Sequence, residues 1–117
     1  MGWAEDLYAR VDAKDSQAFA AAFTPDGQFK FGNWPEATGR EAIAALCDQF
    51  FSTIAGLQHT IVREYRDGDA RLLEFEATYT RHDGSTIKLP AVTRFLMDGE
   101  LARHAQVFMD VNPLYQN

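Results

Sequence analysis

The sequence predicts an α+β fold: three N-terminal helices packed in the concave face of a curled antiparallel sheet, an α+β cone. Three observations carry this. Apolar side chains recur at helical spacing through the first half of the chain. From Leu57 onward the pattern changes to long β-rich runs. Three Asp-Gly pairs, Asp67-Gly68, Asp83-Gly84 and Asp98-Gly99, then recur about fifteen residues apart, and Asp-Gly between such runs is a strong hairpin signal.

Each element follows in order. Residues 3 to 14 place Trp3, Leu7, Tyr8 and Val11 on one stripe of an amphipathic helix. Glu5 and Asp6 fall in its first turn, where the helix dipole favours carboxylates. Asp15 reads as the N-cap of a short second helix ending near Phe23, with Phe19 and Phe23 on one face. Thr24-Pro25-Asp26-Gly27 stops it, since proline presets a turn and glycine eases the exit. Gln28 to Phe31 alternates polar and apolar, as a strand with one buried face does, and a loop from Gly32 to Ala37 follows. Thr38 and Glu41 read as a capping box for a third helix. Its stripe is Ile43, Leu46, Cys47, Phe50 and Ile54, and Gly56 stops it. The turns then divide the remainder into strands over about 57–66, 70–81, 86–97 and 100–111. Each is roughly 33 Å long at the usual rise per residue, so the meander must twist and curl. Helices placed first and a meander second put the helices on one face of the sheet. A curled sheet over helices leaves a pocket at the wide end of the cone.

Composition bounds the function. The 117 residues suit a single domain, 1–117, and 46% apolar content supplies a core. Seventeen acidic against eleven basic residues give a net charge of −6. That balance argues against nucleic acid or an anionic membrane as partner, because both select a basic footprint. No apolar run approaches the roughly 20 residues of a membrane helix, and no signal peptide is visible at Met1 to Asp6. Cys47, the single cysteine, has no internal disulfide partner, which fits a reducing compartment and a cytoplasmic location.

Several segments carry a family resemblance: Val11-Asp12-Ala13-Lys14-Asp15, Phe23-Thr24-Pro25-Asp26-Gly27, Gly39-Arg40-Glu41-Ala42-Ile43, Thr78 to Gly84 and Val107 to Tyr115. Together the chain resembles the SnoaL-like branch of the cone-shaped, cystatin-like superfamily named after nuclear transport factor two, related to ketosteroid isomerases and polyketide cyclases. The resemblance implies the cone, a small-molecule pocket and a homodimer. The general base of the ketosteroid isomerases falls on Phe31-Gly32-Asn33 and their neutral acid near Ala91. Their oxyanion tyrosine falls on Leu7, one residue from Tyr8, and the last-strand Asp of the cyclases and limonene epoxide hydrolases falls on Val107. The hydrolase Arg and Asp fall near Glu74 and Glu76. Mostly apolar residues at acid/base positions argue against all three of those activities.

A proton-transfer site in such a cavity needs His, Tyr or a carboxylate within apolar walls. His59 and Tyr79 are the candidate catalytic residues. His59 lies at the start of the first long strand and shows no partner in the sequence, so a partly exposed strand histidine is its simpler reading. Tyr79 shares the parity of Phe75 and Ala77, whereas Glu74 and Glu76 take the opposite, outward parity. Tyr8, Phe31, Trp34, Phe50, Ala91, Val107 and Met109 are the candidate pocket lining, Trp34 as lid, ligand platform or plug. Asp110 reads as an anchor for the C-terminal segment. No metal or other cofactor is expected: His59, His82 and His104 lack ligand spacing and no Gly-rich phosphate loop exists. The expected partner is a small apolar molecule of terpene or steroid size, bound with or without isomerase- or cyclase-type acid/base chemistry. The alternative is a non-catalytic structural or interaction domain whose cavity is filled by its own side chains.

Overall fold

In chain order the computed structural model, which describes residues 2–116, contains α1 (Trp3–Asp12), α2 (Ser16–Ala20), β1 (Phe23–Phe31), β2 (Ala37–Thr38), α3 (Arg40–Phe51), β3 (Gly56–Asp67), β4 (Ala70–Thr80), β5 (Thr86–Asp98), β6 (Leu101–Phe108) and a short 3-10 turn (Asn112–Tyr115). The six strands form one open sheet in the order β2-β1-β6-β5-β4-β3. β3 to β6 are the antiparallel meander that the Asp-Gly pairs predict. Gly68, Gly84 and Gly99 take φ of 61°, 90° and 64°, the left-handed region the hairpin turns demand. β1 runs parallel to β6, so the sheet is mixed rather than wholly antiparallel. No local signal carries that pairing, because α3 and four strands lie between β1 and β6 in the sequence.

The helices follow their patterns with four differences. Asp15 caps α2 by accepting from the Ala18 N–H at 3.0 Å, but α2 ends at Ala20 and Phe23 already belongs to β1. The Thr24 to Gly27 turn lies inside β1 as an irregularity, where the pairing with β6 shifts register between Phe23 and Gln28. Thr38 does not cap α3. It belongs to β2, paired with Gln28, and the N-cap position is Gly39 at φ 90° with no side-chain cap. α3 ends at Phe51, ahead of Gly56, which starts β3. The Ser52 and Thr53 hydroxyls donate to the Gln49 and Phe50 carbonyls at 2.7 Å and satisfy orphan acceptors of the last turn.

The core lies between the helices and one face of the sheet. Leu73, Phe75, Ala77 and Tyr79 of β4 and Leu89, Ala91, Thr93, Phe95 and Met97 of β5 are all buried. They meet Leu7 and Tyr8 from α1 and Ile43, Cys47 and Phe50 from α3. On the opposite face Glu74, Glu76 and Val92 are half-buried, as their parity predicts, and Phe108 is exposed. No helix among the described residues is long and apolar enough to cross a membrane.

Candidate active site

A cavity of about 60 Å³ opens between α1, α3 and the sheet. Tyr8, Phe31, Phe50, His59, Tyr79, Val107 and Met109 line it, joined by Phe75, Thr93 and others. Two expected lining residues stand apart. Trp34 packs behind the wall, edge-on to Phe31 at 5.5 Å and Phe50 at 5.9 Å. Ala91 shares the buried face of β5 with Thr93 but does not border the space. The volume also departs from expectation: pockets for drug-sized ligands run from about 300 Å³ upward, so a terpene or steroid does not fit this space as it stands.

The polar groups converge on one wall. His59 enters from β3; the residue as a whole is half-buried, but its side chain is only 6% exposed. Its Nδ1 lies 2.6 Å from the Asp12 Oδ1 at the end of α1. The His59 backbone N–H donates to both Asp12 oxygens at 3.1 Å. The carboxylate therefore holds both strand and ring, and its acceptor character places the proton on Nδ1. Among the described residues Nε2 has no hydrogen-bond partner, so it is the nitrogen left for a molecule in the cavity. Tyr8 and Phe75 flank the imidazole, with ring centroids 4.8 and 5.0 Å away.

Two tyrosine hydroxyls complete the wall. Tyr8 donates to Thr93 Oγ1 at 2.9 Å, and that hydroxyl is buried on β5. Burial pushes the Tyr8 phenol well above its usual range; the Thr93 contact opposes this and nearby Asp12 reinforces it. The Tyr79 hydroxyl contacts Met109 Sδ at 3.8 Å, a weak acceptor. Burial again pushes this phenol up, so both tyrosines stay neutral donors. Cys47 also borders the cavity, but burial pushes its thiol up to about 12 and leaves it a poor nucleophile. Among the described residues no three His, Cys, Asp or Glu side chains are grouped to hold a metal.

Asp12 and Thr93 escaped the sequence reading, yet each left a trace. Asp12 lies four residues after Tyr8, hence on the same helix face, and at the helix C-terminus, where the dipole disfavours a carboxylate. Thr93 is a polar residue at the buried parity of β5. Other sequence candidates have structural duties. Asp110 accepts from the Asn112 N–H at 3.1 Å, anchoring the C-terminal turn. His82 contacts the Ser52 carbonyl and His104 pairs with Glu36, both at 3.0 Å.

The molecule is thus an α+β cone with a His–Asp pair at its cavity. Residues 4–104 match the SnoaL-like domain, and the chain belongs to that family. Among solved structures it is similar to a Catenulispora acidiphila protein of ketosteroid isomerase-like fold, solved in complex with trimethylamine. That match has 21% identity and a TM-score of 0.84, over 91% of this chain and 83% of the other. A nuclear transport factor two-like protein of unknown function from Burkholderia pseudomallei gives 14% identity and a TM-score of 0.86, over 96% and 91%. An epoxide hydrolase from Mycobacterium tuberculosis, of the limonene epoxide hydrolase-like kind, gives 18% and 0.77, over 97% and 84%. At these identities the likeness establishes the fold alone. None of the curated proteins matches the sequence.

Proposed function

We propose that this SnoaL-like protein is an acid/base catalyst acting on a small, largely apolar molecule that carries an enolisable carbonyl. The observation behind the reading is the 2.6 Å contact between Asp12 and a His59 that is buried in an apolar cavity. His59 Nε2 removes a proton from the carbon beside the carbonyl, and the Asp12 carboxylate stabilises the imidazolium that forms. The electron pair passes to the carbonyl oxygen, which accepts a hydrogen bond from the neutral Tyr79 hydroxyl, and a second from Tyr8 once its proton turns away from Thr93 Oγ1. Returning the proton to the same carbon racemises or exchanges it, and returning it to a conjugated carbon isomerises the molecule. Apolar walls keep water away from the charged intermediate and strengthen these contacts.

The test is solvent deuterium exchange at the α-carbon of cyclopentanone, a ketone much smaller than a terpene, in D2O, followed by proton NMR. The native protein is expected to accelerate exchange and His59→Gln to lose most of that acceleration, since a positioned general base contributes about 10²- to 10⁴-fold. Equal rates with both proteins would overturn the reading. The small cavity favours a second reading, an interaction domain filled by its own side chains, for which neither exchange nor ligand binding is expected. On either reading we propose a cytoplasmic homodimer joined through the outer sheet face, where Val92 lies beside the exposed Phe108 on the neighbouring strand.

A further inference from the structure

Beyond the inner cavity lies a second, open hollow of about 310 Å³ at the ends of β1 and β6. Val107 and Met109 line both spaces, so the two hollows adjoin there. Val107 is buried within the strand, whereas Met109 lies just past the end of β6 and is half-buried. Methionine is unbranched and changes rotamer readily, which makes Met109 the movable part of the wall. The rim is fixed where the Gly32 N–H donates to the Val107 carbonyl at 3.0 Å. On the inner side, the weak contact to Met109 Sδ is the only hydrogen bond of the Tyr79 hydroxyl among the described residues. A turn of the Met109 side chain, which stands on the wall of both spaces, would free that hydroxyl.

The chemistry of the two parts differs. Aromatic and aliphatic side chains enclose the inner one. The outer one carries Asn33, Asp110 and Asn112, all exposed, and no Lys or Arg. One Asp110 oxygen accepts from the Asn112 N–H, which leaves the other available to a donor. We infer that the two hollows form one bipartite binding site gated by Met109, for a molecule with a compact apolar body and a hydrogen-bond-donating head, a hydroxyl or an ammonium. The body passes Met109 toward His59 while the head stays outside on Asp110 and the two Asn amides. Anionic heads are disfavoured, because the outer hollow offers a carboxylate and no cation. This rests on the proposed catalytic reading for the placement of the body, and it supplies the room that the inner cavity alone lacks.

Binding of three probes with one body tests it: 2-naphthalenemethanol, 2-naphthylmethylamine and 2-naphthoate, titrated calorimetrically into the native protein. The alcohol and the amine are expected to bind about three- to fivefold more tightly than the carboxylate, the effect of one exposed charge. Asp110→Asn removes the gap between amine and carboxylate. Met109→Ala tightens all three probes by widening the passage, and Met109→Phe weakens all three. Equal affinity for the three heads, a gap that survives Asp110→Asn, no binding at millimolar concentration, or affinities indifferent to both Met109 variants would overturn the inference. Binding is read here without turnover. Head selectivity without cyclopentanone exchange would refute the catalytic reading and leave the bipartite site standing, and the converse result would do the opposite.

Discussion

Replacing Asp12 by Asn perturbs the site at the group that holds it together. The carboxylate accepts from the His59 imidazole at 2.6 Å and from the His59 backbone N–H at 3.1 Å to each oxygen. An asparagine offers one acceptor oxygen to these two donors, so its own N–H₂ must face one of them. Hydrogen bonds to charged groups contribute about 1.5–3 kcal/mol each, whereas fully exposed ion pairs contribute only about 0.2–1 kcal/mol. Asp12 is 27% exposed and His59 6%, which places this pair between the two limits. The whole substitution is expected to cost about 2–3 kcal/mol, or about 6–15 °C in Tm for a chain of this size. His59→Phe keeps the ring packed beside Tyr8 and Phe75 and leaves the backbone N–H contact to Asp12 intact. A double-mutant cycle of Asp12→Asn with His59→Phe therefore isolates the imidazole–carboxylate term, expected at about 1–2 kcal/mol. Urea denaturation of the four proteins gives the number. A coupling below about 0.5 kcal/mol, the scale of independent or solvated sites, would refute the claim that Asp12 holds the imidazole.

Other consequences reach beyond the site. Glu64 accepts from Arg71 and Arg66, and although burial alone would raise its carboxyl, those contacts outweigh it and hold the group below the usual range. Its stabilisation is therefore present above the unfolded carboxyl value of about 4.3 and lost as pH falls through the lower folded value. Glu64→Gln should flatten that part of the stability–pH curve in acid denaturation, lowering stability above about pH 4.3 and changing it little at the acid end. With its thiol pushed up to about 12 by burial, Cys47 should resist iodoacetamide at pH 8 in the native protein and react on unfolding, as mass spectrometry would show. Fast native labelling would contradict the packing of α3. Val92→Lys should weaken the proposed dimer of two 13.2 kDa chains, because burying an unpaired charge costs several kcal/mol. Light scattering that finds the native protein monomeric at micromolar concentration would remove that interface.

Legibility in the sequence followed the range of the interactions. The three Asp-Gly turns specify their own backbone geometry, so β3, β4 and β5 begin and end within a residue or two of the expected positions. The Thr38-Glu41 signal failed because β2 recruits Thr38 into pairing with Gln28, a tertiary demand that overrides a local cap. Pairing of β1 with β6 is long-range for the same reason. Parity on the strands placed Tyr79 inward and Glu74 and Glu76 outward correctly. The partner of His59 lies 47 positions away on another element, which no spacing rule reaches. Asp12 itself sits against the helix dipole at the end of α1, a local inconsistency of the kind that functional sites show. Cavity volume depends on how Phe31, Trp34 and Phe50 stack together, and a sequence pattern does not contain that geometry.

The claim on which the rest depends is that Asp12 fixes the His59 proton on Nδ1 and leaves Nε2 as the base. A two-bond proton–nitrogen correlation spectrum of ¹⁵N-histidine-labelled protein at about pH 8, where an ordinary imidazole is neutral, reads this directly, with His59 assigned by its absence in His59→Gln. The expected spectrum shows a protonated Nδ1 and a pyridine-like Nε2 for His59, with Nε2 shifting when cyclopentanone is added. A proton on Nε2 with a bare Nδ1 would contradict it.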